Sequence, residues 1–575
     1  MNAERLLEHY ERIADAPDAI TRLRRFILEL AARGKLVPQD HNDEPASELL
    51  KRVAKEKARL VKAGEIKKPP TLKPIQDGEA LYALPKTWAW VRIGDIFDYD
   101  AGTKRDPKEL DQSRWLLELE DIEKDTSRIV ARLRVSDRDS QSTKSEFELG
   151  DILYGKLRPY LNKVVVADEP GYSTTEIVAI RAFLPLCPEY CALAFRRPDF
   201  VAYVERLGRG TKMPRLRTPD AIVAPFPLPP LAEQHRIVAK VDELMGLCDR
   251  LETARKTREA TRDQLTAASL ARLNTPDPET FQADVDFAFD ALDALFTRPD
   301  QINRLRQTIL RLALCGKIVP QDPRDELASN LLERIVAENK KLIAEKGIRP
   351  QRPAPPANNF EVYSEIPLTW RHVYLQDIAY QITDGTHLTP QYTETGKPFL
   401  SAQNVKPFRF IPDRHRFVSE ADFDGYRANR RPERGDILMT RVGAGIGEAA
   451  VLNSDFEFAF YVSLCLIKVP VRLVSSDYLV LWLNSPEGRE SSTSRTYGKG
   501  ASQGNLNLGL IRTFKIPLPP LAEQHRIVAK VDELMGLCDR LEASLTIVGS
   551  TQQRLLEAIL HEALAPIEVG DREAA

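Results

Sequence analysis

The stretch PLPPLAEQHRIVAKVDELMGLCDRLE runs from Pro227 to Glu252 and returns without a change from Pro517 to Glu542. A second stretch returns in weaker form, ITRLRRFILELAARGKLVPQD from Ile20 to Asp40 and INRLRQTILRLALCGKIVPQD from Ile302 to Asp322. Between these paired stretches lie segments that resemble each other poorly. The period far exceeds the roughly 20–50 residues of a solenoid repeat, so the chain reads as one design used twice: helix-like segment, variable segment, helix-like segment. What stays identical must serve the same purpose in both halves, and what differs must distinguish them.

The unchanged stretch opens on Pro227, Pro229 and Pro230, which can start a helix but not sit inside one, and Glu233 falls in the first turn, where the helix dipole favours an anion. Ile237, Val241, Leu244, Cys248 and Leu251 then step by four and three, as in the seam of a coiled coil. The second copy prolongs the series through Ile527, Val531, Leu534, Cys538, Leu541, Leu545, Val548, Gln552, Leu555 and Ile559. A helix over about 521–561 would span roughly 60 Å. The first copy degrades where Arg255, Arg258 and Arg262 take seam positions before Leu265. Two seams tethered in one chain are expected to pair with each other, antiparallel, because the tether raises their effective concentration.

The weaker repeat predicts a helical hairpin in each half. The first helix begins after Asp18 as N-cap, carries Ile20, Leu23, Ile27 and Leu30 on one face and stops at Gly34. The second covers about 46–62 and ends at Gly64. The later copy occupies about 302–316 and 328–347, and Pro-rich linkers follow both, near 67–74 and 349–356. Such hairpins either dock another protein or cap the domains beside them.

A chain of 575 residues exceeds what one core serves, and 43% hydrophobic with 29% charged residues is a globular composition. The net charge of −2 does not by itself point to nucleic acid. Cys187, Cys191, Cys248, Cys315, Cys465 and Cys538 show no CxxC or matching His spacing, which argues for reduced thiols and against a zinc site. The N-terminal MNAERLLEHYERIADAPDA is too charged for a secretory signal, and no run approaches the roughly 20 apolar residues of a membrane span, so a cytoplasmic location is expected.

The variable segments, 84–226 and 366–516, mix short strand-like runs with Gly, Pro and Asp turns: 151–154, 163–167 and 177–180 in the first, 436–440, 449–452 and 463–469 in the second. Both open alike, LPKTWAWVRIGDI and IPLTWRHVYLQDI, and both hold a GDIL turn at Gly150 and Gly435. Their polar surfaces differ. The first offers GKLRPYLNK, with Lys156, Arg158 and Lys163 among Tyr154 and Tyr160, then a basic run through Arg206, Arg209, Lys212, Arg215 and Arg217. The second offers DGTHLTPQY with Thr386 and His387, SAQNV with Gln403 and Asn404, TRVGAGIGE with Arg441, and YGKGASQGNLN with Ser502 and Asn505. Arg and Lys neutralise phosphates, while Asn, Gln, Arg and His in loops read base edges, so these are the candidate DNA contacts.

Catalytic motifs are missing by comparison. No GK pair has the glycine frame and following Ser or Thr of a phosphate-binding loop. Gly443, Gly445 and Gly447 depart from the GxGxxG spacing and read as a hairpin turn. No PP pair is preceded by Asn, Asp or Ser, as amino-methyltransferases require, and the chain has only eight His.

In PLPPLAEQHRIV closing each variable segment, in GKLRPYLNK and DGTH, and in the long helices between, the chain closely resembles the specificity subunit of type I restriction–modification enzymes. The resemblance implies an α+β fold: two α/β target-recognition domains separated by long antiparallel coiled-coil helices in a pseudo-two-fold duplication. It divides the chain into an N-terminal helical region (1–83), a first recognition domain (84–226), a central repeated helical region and linker (227–365), a second recognition domain (366–516) and a C-terminal helix (517–575). Each domain would read half of a bipartite, asymmetric site in double-stranded DNA, and the helices would fix the gap and hold two methylation subunits. No catalytic residue, cofactor or metal is expected on this chain; S-adenosylmethionine, ATP and Mg would reside on the methylation and restriction subunits. Carried over by motif, Lys156, Arg158, Thr386, His387, Arg441 and Asn505 lead the DNA-contact candidates. A self-contained methyltransferase using the Gly443 loop, or a coiled-coil scaffold without DNA affinity, are the alternative classes.

Overall fold

The glycines that end the predicted hairpin helices do so with left-handed backbone. Gly34 and Gly316 share φ +67, Gly64 has φ +72 and Gly347 φ +61, a conformation that costs glycine nothing and terminates a helix. The structure, a computed structural model, describes residues 15–564 apart from 17, 77, 140, 208–212, 351–365 and 495–503. Its helices include α1 (Ala19–Ala32), α2 (Ala46–Lys62), α3 (Leu231–Asn274), α4 (Phe281–Asp290), α5 (Pro299–Leu314), α6 (Ala328–Glu345) and α7 (Leu521–Leu564). The chain divides into two units, residues 1–258 with 549–575, and residues 259–548. Helix α3 therefore starts in the first unit and ends in the second, and α7 starts in the second and ends in the first, so the two are traversed in opposite senses.

Each variable segment folds as an α/β domain around the strands its sequence announces. In the first unit β1 (Ala89–Arg92), β2 (Phe97–Tyr99), β3 (Ile152–Gly155), β4 (Val164–Val166), β5 (Ile177–Ala182) and β6 (Pro225–Leu228) form a two-stranded sheet β1–β6 and an antiparallel sheet of order β2–β5–β3–β4. A five-stranded sheet, which contains one parallel pair, Trp115–Leu117 with Gly171–Thr174, completes the domain. In the second unit β7 (Arg371–Tyr374), β8 (Gln381–Asp384), β9 (Ile437–Thr440), β10 (Ala449–Val451), β11 (Leu464–Lys468) and β12 (Lys515–Leu518) repeat the plan, as β7–β12 and β8–β11–β9–β10. Runs such as Ile152–Gly155 and Leu464–Lys468 are buried at every residue, which is why they read as continuous apolar stretches rather than alternating ones. The GDIL glycines open them with φ +85 at Gly150 and +89 at Gly435.

The unchanged stretch is explained by one joint, present once in each unit. Strand β1 pairs β6 from Ala89↔Leu228 to Arg92↔Pro225, and β7 pairs β12 from Arg371↔Leu518 to Tyr374↔Lys515, so each domain's two ends meet where its long helix begins. There Trp88 Nε1 donates to Glu233 Oε2 (2.9 Å) and Gln39 Nε2 to Glu233 Oε1; in the other unit Trp370 Nε1 donates to Glu523 Oε2 (2.9 Å) and Gln321 Nε2 to Glu523 Oε1. The buried side chains of Gln234 and Gln524 accept from the backbone N–H of Cys187 (3.0 Å) and Ser475 (2.9 Å). Tyr190 and Tyr478 donate to the carbonyls of Pro227 and Pro517, and Arg236 pairs with Asp43 as Arg526 does with Asp325, both at 2.6 Å. A Cβ on Gly34 would lie 2.5 Å from Pro85, and one on Gly316 2.5 Å from Pro367. Hairpin, domain and long helix thus converge on Glu233 and on Glu523, whose carboxyls burial pushes above their ordinary value. Glu233 lies in the first turn of α3, as the sequence predicts, and serves there as a buried acceptor as well.

Two local expectations are corrected. Asp18 precedes α1 with φ 57 and makes no side-chain cap hydrogen bond. The seam of the long helices also drifts. Ile237, Val241 and Cys248, and likewise Ile527, Val531, Leu534 and Cys538, are buried, but Leu265 is 50% and Val548 48% exposed. The burial passes to Thr266, Leu270 and Leu273 in α3 and from Leu555 to Leu556 in α7, while Ile559 is buried as the seam predicts. A helix with 3.6 residues per turn rotates about 20° per heptad away from a strict seven-residue repeat, so over four heptads the inward position moves on by one residue. Leu270 and Leu273 join Leu295, Phe296, Leu305 and Ile309 in the second unit's core, and Leu556 and Ile559 close over Ala16 and Ala19 in the first.

Replacing Glu233 by Ala leaves the Trp88 indole N–H and the Gln39 amide without their acceptor, at roughly 1–3 kcal/mol for each buried donor. Glu233→Ala is expected to lower the unfolding temperature of the first unit and Glu523→Ala that of the second, read by scanning calorimetry. Unfolding temperatures equal to wild type would show that the joint is not what ties domain to helix.

Candidate nucleic-acid interface

In the first unit the chain leaves β3 at Gly155 and makes a turn held on both sides by backbone bonds. The Lys156 N–H donates to Glu176 O (2.9 Å), Leu216 N–H to Lys156 O (3.0 Å) and Arg158 N–H to Pro214 O (2.8 Å), with a bridge between Leu157 and Arg215. Arg158 and Asn162, at φ +50 and +52, bracket the single turn Pro159–Leu161. This tight geometry leaves Arg158 and Tyr160 exposed and Lys156 half-buried, and neither basic side chain is ion-paired among the described residues. Arg215 is exposed and forked onto the Glu176 carboxylate (2.9–3.2 Å). Lys163 is engaged differently: its Nζ donates to Leu119 O (2.6 Å). Tyr154 is core, packed on Phe195 and Phe200. Arg217 pairs with Asp220 (2.9 Å), Arg206 is exposed, and Arg209 and Lys212 lie outside the described residues.

The second unit builds the same turn after β9 with other side chains. Arg441 N–H donates to Ser463 O (2.9 Å), Leu506 N–H to Arg441 O (2.9 Å), and Val442 bridges Asn505. The Arg441 guanidinium is buried, with Nη1 on Asp384 Oδ2 (2.7 Å) and Val462 O (3.2 Å), Nε on Leu506 O (2.9 Å) and Nη2 on Asn505 Oδ1 (3.1 Å). His387 stands outward with its Nε2 3.0 Å from Asp384 Oδ2, and Asn505 is exposed. Thr386 is buried; its N–H donates to Phe460 O and its hydroxyl accepts from Leu388 N–H (3.2 Å). The Gly443–Gly447 segment joins the antiparallel neighbours β9 and β10, with the Gly447 N–H returning to Thr440 O (2.8 Å). It is a hairpin turn rather than a strand-to-helix crossover.

Asn404 leaves the set of direct contacts. It is fully buried, accepts from Ser401 N–H (2.9 Å) and donates to the carbonyls of Ile411 (2.9 Å) and Arg414 (2.7 Å), so no polar atom remains to meet a base. Buried Thr386 and Arg441 are likewise internal supports. Gln403 is exposed, with Nε2 on Arg414 O (3.3 Å), and Ser502 lies outside the described residues. Missed in the sequence were the acid that organises the second turn, Asp384, and the exposed hairpin Lys406–Arg409, whose tip Phe408 has φ +63. The signals were available: an Asp three residues before a His, and a basic–aromatic KPFR beside SAQNV. Also missed was Lys104, exposed and paired with Asp100 at 3.1 Å.

A family model described as the type I restriction modification DNA specificity domain matches residues 367–547. The specificity subunit of the type I restriction enzyme EcoAI of Escherichia coli is 32% identical over 95% of this chain and 94% of its own length. The chain belongs to the family of type I restriction enzyme specificity subunits. The Escherichia coli EcoEI specificity subunit is likewise 32% identical over 95% of this chain and 94% of its own length. A solved HsdS subunit from Thermoanaerobacter tengcongensis is 21% identical, with 84% of this chain and 98% of that one covered and a TM-score of 0.44. As a specificity subunit, the chain recognises DNA sequence and is not the catalytic component. Among the described residues no helix is long and apolar enough to cross a membrane.

Asn404→Ala is expected to remove a buried side chain that supports three part-buried backbone groups and cost about 1–3 kcal/mol in thermal unfolding, while exposed Gln403→Ala stays within about 0.5 kcal/mol of wild type. An Asn404→Ala protein that melts as wild type but loses DNA would return Asn404 to the interface.

Proposed function

We propose that the first variable domain reads one half of a bipartite, asymmetric site in double-stranded DNA and the second reads the other, while the repeated hairpins and long helices hold two methylation subunits in equivalent settings. The observation that carries this reading is the contrast within one register: an identical joint in both units, and different side chains on the turn each joint presents. Lys156, Arg158 and Arg215 form the cationic surface of the first turn; His387, Gln403 and Asn505 form the polar surface of the second. S-adenosylmethionine would be carried by the methylation subunits, with ATP and Mg on restriction subunits reached through the complex, in the cytoplasm. The purified chain alone should then leave DNA unmethylated, and adding the methylation subunit should restore methylation at one bipartite sequence. Methylation by the chain alone at the rate of the complex would refute the assignment.

The helices would set the gap between half-sites. Four residues inserted after Leu545 add roughly 6 Å of helix, equal to about one or two base pairs at about 3.4 Å each. They also turn Leu556 and Ile559 by about 40° relative to a whole turn, so some affinity should be lost as the contact with Ala16 and Ala19 repacks. Methylome sequencing of a host carrying the variant should show unchanged half-sites and a longer gap. Altered half-sites with the original gap would overturn this division of labour, and an unchanged site would remove this part of α7 as the ruler.

A further inference from the structure

The two turns place a cation at one backbone position and treat it in opposite ways. Gly155 pairs with Ile177 and Thr440 with Leu464 across equivalent strands, so Lys156 and Arg441, the next residues, correspond, and Arg215 and Asn505 correspond as the bridge partners of the residues that follow them, Leu157 and Val442. What differs is the acid of the preceding strand. In the second unit Asp384 ends β8 and holds the Arg441 guanidinium inside, where it makes four hydrogen bonds. In the first, the same register puts Ala101 where Asp384 stands, and the adjacent Asp100 carboxylate pairs with Lys104, which leaves Lys156 without a carboxylate partner among the described residues. A guanidinium closed in by protein acceptors has little left to offer a phosphate.

This arrangement also fixes what the exposed neighbours present. Arginine has donors only, so the atom of Asn505 facing Nη2 must be its carbonyl oxygen; the free part of the amide is therefore its NH2 group. Asp384 accepts, so the His387 nitrogen beside it carries the proton, and in the neutral ring Nδ1 is left as an acceptor. Building on the DNA-recognition role, we propose that Arg441 and Asp384 are positioning residues that aim two base readers of the second half-site. Asn505 donates to a base acceptor, purine N7, guanine O6 or thymine O4, and His387 accepts from a base amine, adenine N6 or cytosine N4. Lys156, at the matching position in the first unit, is a phosphate ligand.

The test uses the chain assembled with its methylation subunit, binding duplexes with every base substituted in turn through both half-sites, at several salt concentrations. Lys156→Gln should weaken all sequences alike and reduce the salt slope by about one. Arg441→Lys should leave that slope unchanged and lower discrimination at one position of the second half-site by roughly 5- to 150-fold, the range of one base contact. Asn505→Asp replaces a donor by an acceptor and should move the preference at its position toward adenine or cytosine, and His387→Ala should relax one further position. Both of these side chains are exposed, so these two variants carry the test even if Arg441→Lys folds poorly. Wild-type base preferences in both Asn505→Asp and His387→Ala would overturn the proposal. A wild-type complex with no preference at any base would instead overturn the recognition role on which it rests.

Discussion

A buried carboxylate that accepts from an indole N–H is the contact on which each unit depends. Glu233 and Glu523 sit where the helical hairpin, the two ends of the variable domain and the first turn of a 44-residue helix come together. An acid in that setting is tolerated only because donors from two other elements meet it; without them its burial would be prohibitive. The geometry admits little variation, since the indole of Trp88 and the amide of Gln39 must both point at one group. The PLPPLAEQHRIV sequence is thus conserved between the halves of this chain by the demands of an internal joint.

Because both ends of each variable domain return to that joint as a two-stranded sheet, what happens between them is free to diverge. The first domain fills the space with a five-stranded sheet and the second with a four-stranded one. Yet the central four-stranded sheets keep one order, and the charged pair at their far end changes chemistry without moving: Arg181 with Asp151 in one, Lys468 with Asp436 in the other, both at 2.6 Å. Burial pushes the Asp436 carboxyl up to about 6 despite its lysine. Specificity of this kind rests on loops carried by a frame that does not share in their variation.

Much of the architecture is legible in the sequence because it depends on patterns of short range. Glycine stops, apolar strand runs bounded by Gly–Asp turns and the exact repeat all report backbone or burial requirements directly. The seam of the long helices was read correctly near Ile237 and Ile527 and one residue out near Leu265 and Leu555, since a heptad template accumulates error along a straight helix. Interface residues were harder to read, for a different reason. Arg441 and Asn404 have the side chains that bind DNA, but the same donors and acceptors also satisfy buried backbone, and which task a residue performs is decided by partners far away in sequence, such as Asp384 or Ile411. Arg158 and His387 stay exposed because tight turns leave their side chains nowhere to go but outward.

Helices α3 and α7 each begin in one unit and finish in the other, which constrains how the protein is made. The first unit contains residues 549–564, the last described part of the chain, and Ala16 and Ala19 are covered by Leu556 and Ile559. Emerging from the ribosome, the first variable domain can form its sheets and its joint, but the unit to which it belongs stays unfinished until residues 549–564 have been synthesised. The second unit, residues 259–548, has all of its parts slightly earlier. The helical turns of 549–564 thus act as a closing clasp, so that a chain ended before them would lack a completed first unit even though every residue of its Lys156–Arg158 turn is present.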